Sequence, residues 1–196
     1  LFLAGGYAFG VRSPWTLLTL AFGGYAAQVT LQQMWLPVMQ RMRGGHSIGN
    51  AVIESQFRRG RRRFASYVVH AGAVITIIAI AVSSTMRSTS EVQLKKGESA
   101  SLAGYTVTFL GVEDRAEPHR QSTIATFAVL KGGTHRATLQ PRMNQYEMMR
   151  EPIGTPDVYT TAGGDLYLSI LNIDQASQTV GVNIVQTPMV VWIWIA

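Results

Sequence analysis

Two long apolar runs, Trp15 to Pro37 and Phe64 to Met86, and two shorter ones, Leu1 to Val11 and Pro188 to Ala196, divide the chain into membrane-like and water-like stretches. At about 1.5 Å per helical residue, the Phe64 to Met86 run is long enough to cross a hydrocarbon layer of about 30 Å. The two terminal runs are too short to do so, because a crossing takes about 20 residues. Arg12-Ser13-Pro14 predicts a turn, since proline breaks the helix before it and suits the first position of the next. The Trp15 to Pro37 run holds Gln28, Thr30, Gln32 and Gln33 between Trp15 and Trp35. Tryptophans at its ends suit interfacial anchors, and the amides predict a membrane helix packed against other helices.

Beyond Arg87 the period changes from helical to two. Tyr105 to Val112 alternates and is β-branched, Ser122 to Leu130 and Thr134 to Leu139 flank Lys131-Gly132-Gly133 as a hairpin, and Asp165 to Ile173 pairs with Gln178 to Val185. Glu91 to Leu94 predicts a short first strand. The fold expected is therefore a membrane protein, with transmembrane α-helices and an all-β domain that is a small sandwich or barrel. Its parts are transmembrane helices in 1–40, the first partial, a basic glycine-punctuated loop in 41–63, a transmembrane helix in 64–86, a β domain in 88–187 and the start of a final transmembrane helix in 188–196.

Charge then orients these parts. Only 14% of the 196 residues are charged, against about 25% in an ordinary soluble domain. Seven arginines and one acid, Glu54, lie between Arg41 and Arg63, whereas 88–187 holds ten acids and eight bases. A basic excess confined to one loop between apolar runs is the signature of a cytoplasmic loop. It places 88–187 outside, which in a bacterium is the periplasm, and makes the inner membrane the expected location. The sequence pI of about 10.0 does not indicate nucleic acid, because no basic face interleaved with aromatics accompanies it. Cysteine is absent, which removes disulfides and thiolate ligation by this chain. A chain bounded by partial apolar runs is expected to be a piece of a longer multi-span protein, with membrane lipid around it.

Candidate chemistry centres on His70, the only ionisable side chain of the Phe64 to Met86 run apart from the weakly acidic Tyr67. It lies six residues in, about 9 Å below the cytoplasmic edge, where an imidazole is costly unless something pairs with it. Three readings stay open: ligation of haem iron by the neutral ring, a hydrogen bond to another helix, and a proton relay. Ser66 and Tyr67 share its face at i−4 and i−3, while Ala71, Gly72 and Ala73 leave room for a bulky neighbour. Arg62 or Arg63 is placed to reach a haem propionate. The other histidines lie elsewhere, His46 in the basic loop and His119 and His135 in the β region, without the close spacing of zinc sites. Asp114, Glu117, Glu147 and Asp157 show no paired arrangement for acid–base catalysis, and no nucleophile or phosphate-loop motif is present.

The stretch Arg61-Arg62-Arg63-Phe64-Ala65-Ser66-Tyr67-Val68-Val69-His70-Ala71-Gly72 resembles the CcmF family, the cytochrome c maturation protein F that serves as haem-lyase subunit of bacterial system I. Leu102 to Phe109, Leu139 to Tyr146, Asp165-Leu166-Tyr167-Leu168 and Pro188 to Trp194 continue the resemblance in the family's order. It implies an inner-membrane protein that, with other cytochrome c maturation subunits, takes haem from a haem chaperone and promotes its thioether attachment to apocytochrome c. It also implies a haem b held between two transmembrane histidines, with His70 matching one as axial iron ligand, and makes 88–187 the periplasmic loop before the last span. The family's tryptophan-rich segment, its two periplasmic histidines and its other haem b histidine have no counterpart here. After Pro141 the chain reads Arg142-Met143-Asn144 in place of an acidic then basic pair. The substrate-haem site would thus belong to the remaining part of the protein, and no catalytic residue is assigned to this chain. Two other functions compete: a membrane-anchored docking module without its own cofactor, and a proton-coupled transporter fragment using His70 and the glutamines of the Trp15 to Pro37 run.

Overall fold

The computed structural model describes residues 2–8, 10–58, 60–149 and 151–196. Leu1 and Phe9 of the first apolar run and Arg59 of the arginine stretch lie outside them. The chain forms two compact units, one of residues up to Met86 with Trp192–Ala196, the other Arg87–Val191.

The first unit is helical: α1 (Phe2–Ala8), α2 (Pro14–Arg43), α3 (Ile48–Val52), a π-helical turn (Ile53–Arg58) and α4 (Arg61–Thr85). Ser13 caps α2, its side chain accepting from the Thr16 N–H, with Pro14 in the first turn. Helices α2 and α4 come close where Gly23 faces Ile78. A Cβ there would sit 2.9 Å from Ile78 Cγ1, so a larger residue would push the pair apart. Among the described residues only α4 is long and apolar enough to cross a membrane, with a mean hydropathy of 2.1 over its most apolar stretch. Helix α2 is 30 residues long, but its glutamines and glycines leave it less apolar than that mark.

The segment 41–63 is not the loop its glycines suggest. Helix α2 continues to Arg43, Gly49 lies inside α3, and helical structure resumes through Arg58. Burial is the reason, because Ala51, Ser55 and Gln56 are shut off from solvent. Pro37 interrupts the hydrogen bonding of α2, and the Gln56 amide donates to the nearby Met34 carbonyl at 2.7 Å. Glu54 accepts from Arg41 at 3.1 Å and from Arg58 at 3.4 Å, which draws two of the arginines back onto the helices.

The described residues of the second unit form a β-sandwich of ten strands: β1 (Ser88–Lys95), β2 (Ser99–Leu102), β3 (Tyr105–Glu117), β4 (Arg120–Lys131), β5 (Thr134–Leu139), β6 (Arg142–Tyr146), β7 (Ile153–Thr155), β8 (Asp157–Thr161), β9 (Gly164–Asp174) and β10 (Thr179–Pro188). They form two separate antiparallel sheets, β1-β10-β9-β8 and β2-β3-β4-β6-β7 with β5 also on β4, so the barrel alternative does not arise. Alternate residues fill the space between: Val107, Phe109, Phe127, Val129, Leu166, Leu168, Val182 and Ile184 are buried. A bulge between Phe109 and Gly111 turns Leu110 out to solvent and lets β3 run on to Glu117. The predicted hairpin closes through Gly132 and Gly133, both at positive φ, as a two-residue primed turn requires. Past β10, α5 (Val190–Ile195) begins two residues on from Pro188.

The β9–β10 turn is pinned by Asp174, whose carboxylate accepts from the Ser177 hydroxyl at 2.7 Å and from the Ala176 N–H at 3.0 Å. These bonds, the Ser177 hydroxyl first, hold its pKa below the ordinary 3.8. A lowered folded-state pKa gives stability that is present above the unfolded value and lost as pH falls through the folded one. Thermal melting of the chain between about pH 5 and pH 2.5 is therefore expected to fall less steeply for Asp174→Asn than for the parent. Parallel curves would deny the turn this role.

Candidate functional site

Helix α4 carries His70 in its third turn and leaves the ring exposed. The Ser66 carbonyl lies 2.7 Å from Nδ1, with the Ser66 hydroxyl at 3.5 Å. A carbonyl accepts only, so it fixes the proton of a neutral ring on Nδ1 and leaves the Nε2 lone pair free to bind. The same contact orients the ring, the role that outer partners play for metal-bound histidine. Ser66, His70, Ala73, Ile77, Ile80 and Ser84, spaced by three and four, make one exposed stripe along α4.

One turn toward the start, Tyr67 and Arg63 line a cavity of about 220 Å³ with Pro37, Arg41, Ser55, Gln56 and Gly60. Gly60 is obligatory at its edge, because a Cβ would fall 1.8 Å from the Ser55 carbonyl oxygen. Arg41 and Arg63 are the cations that line it. Arg41 lines it from the last turn of α2, with Ser55 and Gln56 of the π-helical turn opposite. Arg62 and Arg63 are exposed at the start of α4.

The remaining sequence candidates do not converge. His46, His119 and His135 are each exposed, and the described residues hold no group of three or more His, Cys, Asp or Glu suited to a metal. Asp114 accepts from Thr123 at 2.7 Å and from Gln175, tying the two sheets together. Glu117 pairs with Arg120, and Asp157 accepts from the Gln140 N–H at 2.7 Å. These carboxylates hold the sandwich together. Arg120 is bound by the Tyr146 hydroxyl and then by Glu117, which raises its pKa further.

Among the described residues, an apolar helix bearing one orientable imidazole, followed directly by a two-sheet sandwich, defines a helix-plus-sandwich module. The chain belongs to the CcmF family: the family's C-terminal beta-sandwich matches residues 85–188. It is 33% identical over 100 residues to the cytochrome c-type biogenesis protein ccl1 of Rhodobacter capsulatus, covering 51% of this chain and 15% of that protein. To the cytochrome c-type biogenesis protein CcmF of Escherichia coli it is 26% identical over 150 residues, covering 74% of this chain and 23% of that one. A solved structure titled cytochrome c heme lyase CcmF superposes with a TM-score of 0.62 at 20% identity, over 98% of this chain and 40% of its own. At that identity the likeness speaks for the fold. The chain spans less than a quarter of these curated relatives.

Proposed function

We propose that this chain is the part of a cytochrome c haem lyase that binds haem b in the membrane and helps attach haem to apocytochrome c in the periplasm. The supporting observation is the His70–Ser66 contact, which leaves Nε2 free to face outward from the helix that, among the described residues, is long and apolar enough to cross a membrane. The residues fit the group: His70 ligates, the Ser66 carbonyl holds the ring, Ala73 leaves space beside it, and Arg63 is positioned for a propionate. Arg63 lies seven residues before His70, about 10 Å along the helix, within reach of its own long side chain. Haem b bound there supplies an iron that exchanges one electron. Any further ligand to that iron would have to come from outside the residues of this chain that lie near His70. The sandwich faces the periplasm, where the haem chaperone, apocytochrome c and other maturation subunits meet it, and 41–63 faces the cytoplasm.

Reporter fusions test the topology. Activity at Gly45 is expected to report cytoplasm and at Gly133 periplasm, and the reverse pattern would overturn the arrangement. A reduced-minus-oxidised spectrum of the full-length protein is expected to show b-type haem bands. Their absence would favour the docking module, for which Met148 and Met149, exposed between β6 and β7, offer an apolar contact.

A further inference from the structure

The outer face of the four-stranded sheet carries a depression of about 390 Å³, lined by Arg87, Asp165, Tyr167, Asn183, Thr187 and Val190 among others. Its position follows from strand register. Ser88 pairs with Gln186, and Thr187 pairs with Asp165. The chain therefore enters β1 from α4 and leaves β10 toward α5 at the same end of the sheet, and Arg87, Thr187 and Asp165 lie in adjacent chains there. At about 4.8 Å per strand, Arg87 and Asp165 are roughly 10 Å apart, with the small Thr187 between.

The charges of this row are unmatched. Asp165 Oδ1 is buried without a hydrogen-bond partner, and neither Asp165 nor Arg87 forms an ion pair among the described residues. A carboxylate oxygen withdrawn from water without a donor is costly, so the row favours an occupant that brings cationic N–H groups to Asp165 and an anion to Arg87. Asn183 Oδ1 is also orphaned, but four residues along β10 put it about 13 Å away, beyond the same small group.

We infer that this end of the sheet binds the headgroup of a zwitterionic aminophospholipid, its phosphate on Arg87 and its primary ammonium on Asp165. Arg87 lies two residues past the end of α4, so a membrane-spanning α4 delivers the row to the headgroup layer; the inference rests to that extent on the proposed topology. Phosphate and ammonium of one ethanolamine headgroup lie a few ångströms apart, which fits between the two side chains. Choline keeps the positive charge but has no N–H to donate, and glycerol has no charge at all.

The test is native mass spectrometry of the full-length protein, recovered from membranes in detergent and titrated with palmitoyl-oleoyl phosphatidylethanolamine, phosphatidylcholine or phosphatidylglycerol. The ethanolamine lipid is expected to bind about tenfold more tightly than the other two, the scale of one charge-assisted hydrogen bond. Asp165→Asn should abolish that preference, and Arg87→Gln should weaken all three lipids alike. Equal binding by the parent protein, or a preference that survives Asp165→Asn, overturns the site. A basic side chain from the remaining protein seated on Asp165 would give equal binding and a lower melting temperature for Asp165→Asn without lipid. Membrane recovery is scored in the same preparation: its loss overturns the topology and the site together, whereas equal binding by membrane-recovered protein overturns the site alone.

Discussion

Replacing His70 by alanine in the full-length protein is expected to strip it of haem b, lowering the b-type absorbance per protein by at least about tenfold. Loss of an outer-shell partner alone costs roughly 10–100-fold in metal affinity, and here the ligand itself is removed. The helix should survive, because His70 is exposed and alanine is the best helix former. Two controls separate ligation from structure. The sandwich of Arg87–Val191 has its own core, so its protease resistance should match the parent's. A His70→Gly variant leaves room for free imidazole, which should restore part of the haem signal if the lost group was an axial ligand. Unchanged haem content in His70→Ala would sink the assignment and leave the helix as a tether.

The sequence made His70 conspicuous because an imidazole among hydrocarbon side chains has few neutral explanations. It also placed Ser66 on the same face, since i−4 spacing is a property of any helix. It did not reveal that the Ser66 main-chain oxygen, rather than the hydroxyl, takes the Nδ1 proton, because a backbone carbonyl leaves no mark on residue identity. Arg41 joins the basic cavity only through the packing of Ser55 and Gln56 beneath it. Glycines at 44, 45 and 60 do fall between helices, but Gly49 lies inside α3, where burial of Ala51 and its neighbours holds the helix.

In the sandwich, legibility followed burial. Strands β3, β4, β9 and β10 alternate over the stretches where one face meets the core, broken by bulges at Phe109/Gly111 and Gly181/Val182, and their β-branched and aromatic residues announce it. Strands β2, β6, β7 and β8 carry no such signal. Ser99-Ala100-Ser101-Leu102 is a short edge of one sheet, Ile153-Gly154-Thr155 is exposed throughout, and both are strands by pairing alone. Strand β6 is the instructive case. Arg142-Met143-Asn144 departs from the pattern expected after Pro141, yet Asn144 is buried, accepting from the Ser122 hydroxyl at 2.8 Å and donating to the Thr155 hydroxyl at 2.7 Å. That amide links β4, β6 and β7 across one sheet, a role that neither hydropathy nor propensity could signal. Register likewise sorts Asp165-Leu166-Tyr167-Leu168 into two core leucines and two residues of the outer depression.

The largest stability effect is expected from Phe127→Ala. Strand β4 is the hub of the larger sheet, pairing with β3, β5 and β6, and Phe127 stands at its centre with no exposed surface. Its register partner is Phe109, whose ring centroid lies 5.3 Å away at an interplanar angle of 40°. Truncation removes both the buried surface and this ring contact, and the two-sheet frame cannot collapse fully into the space. Such substitutions cost about 3–5 kcal/mol, a large share of the roughly 5–15 kcal/mol that holds a domain folded. With about 4–8 °C per kcal/mol for a domain near this size, the melting midpoint of the sandwich should fall by more than about 12 °C. Leu110→Ala is the matched control, since the bulge turns Leu110 outward, and its shift should stay within about 0.5 kcal/mol. Protease resistance of the full-length protein on heating reads both. Equal shifts for the two variants would mean that Phe127 does not centre the core, while a loss of b-type absorbance in Phe127→Ala at temperatures where the sandwich stays intact would couple it to the His70 helix and contradict their division into separate units.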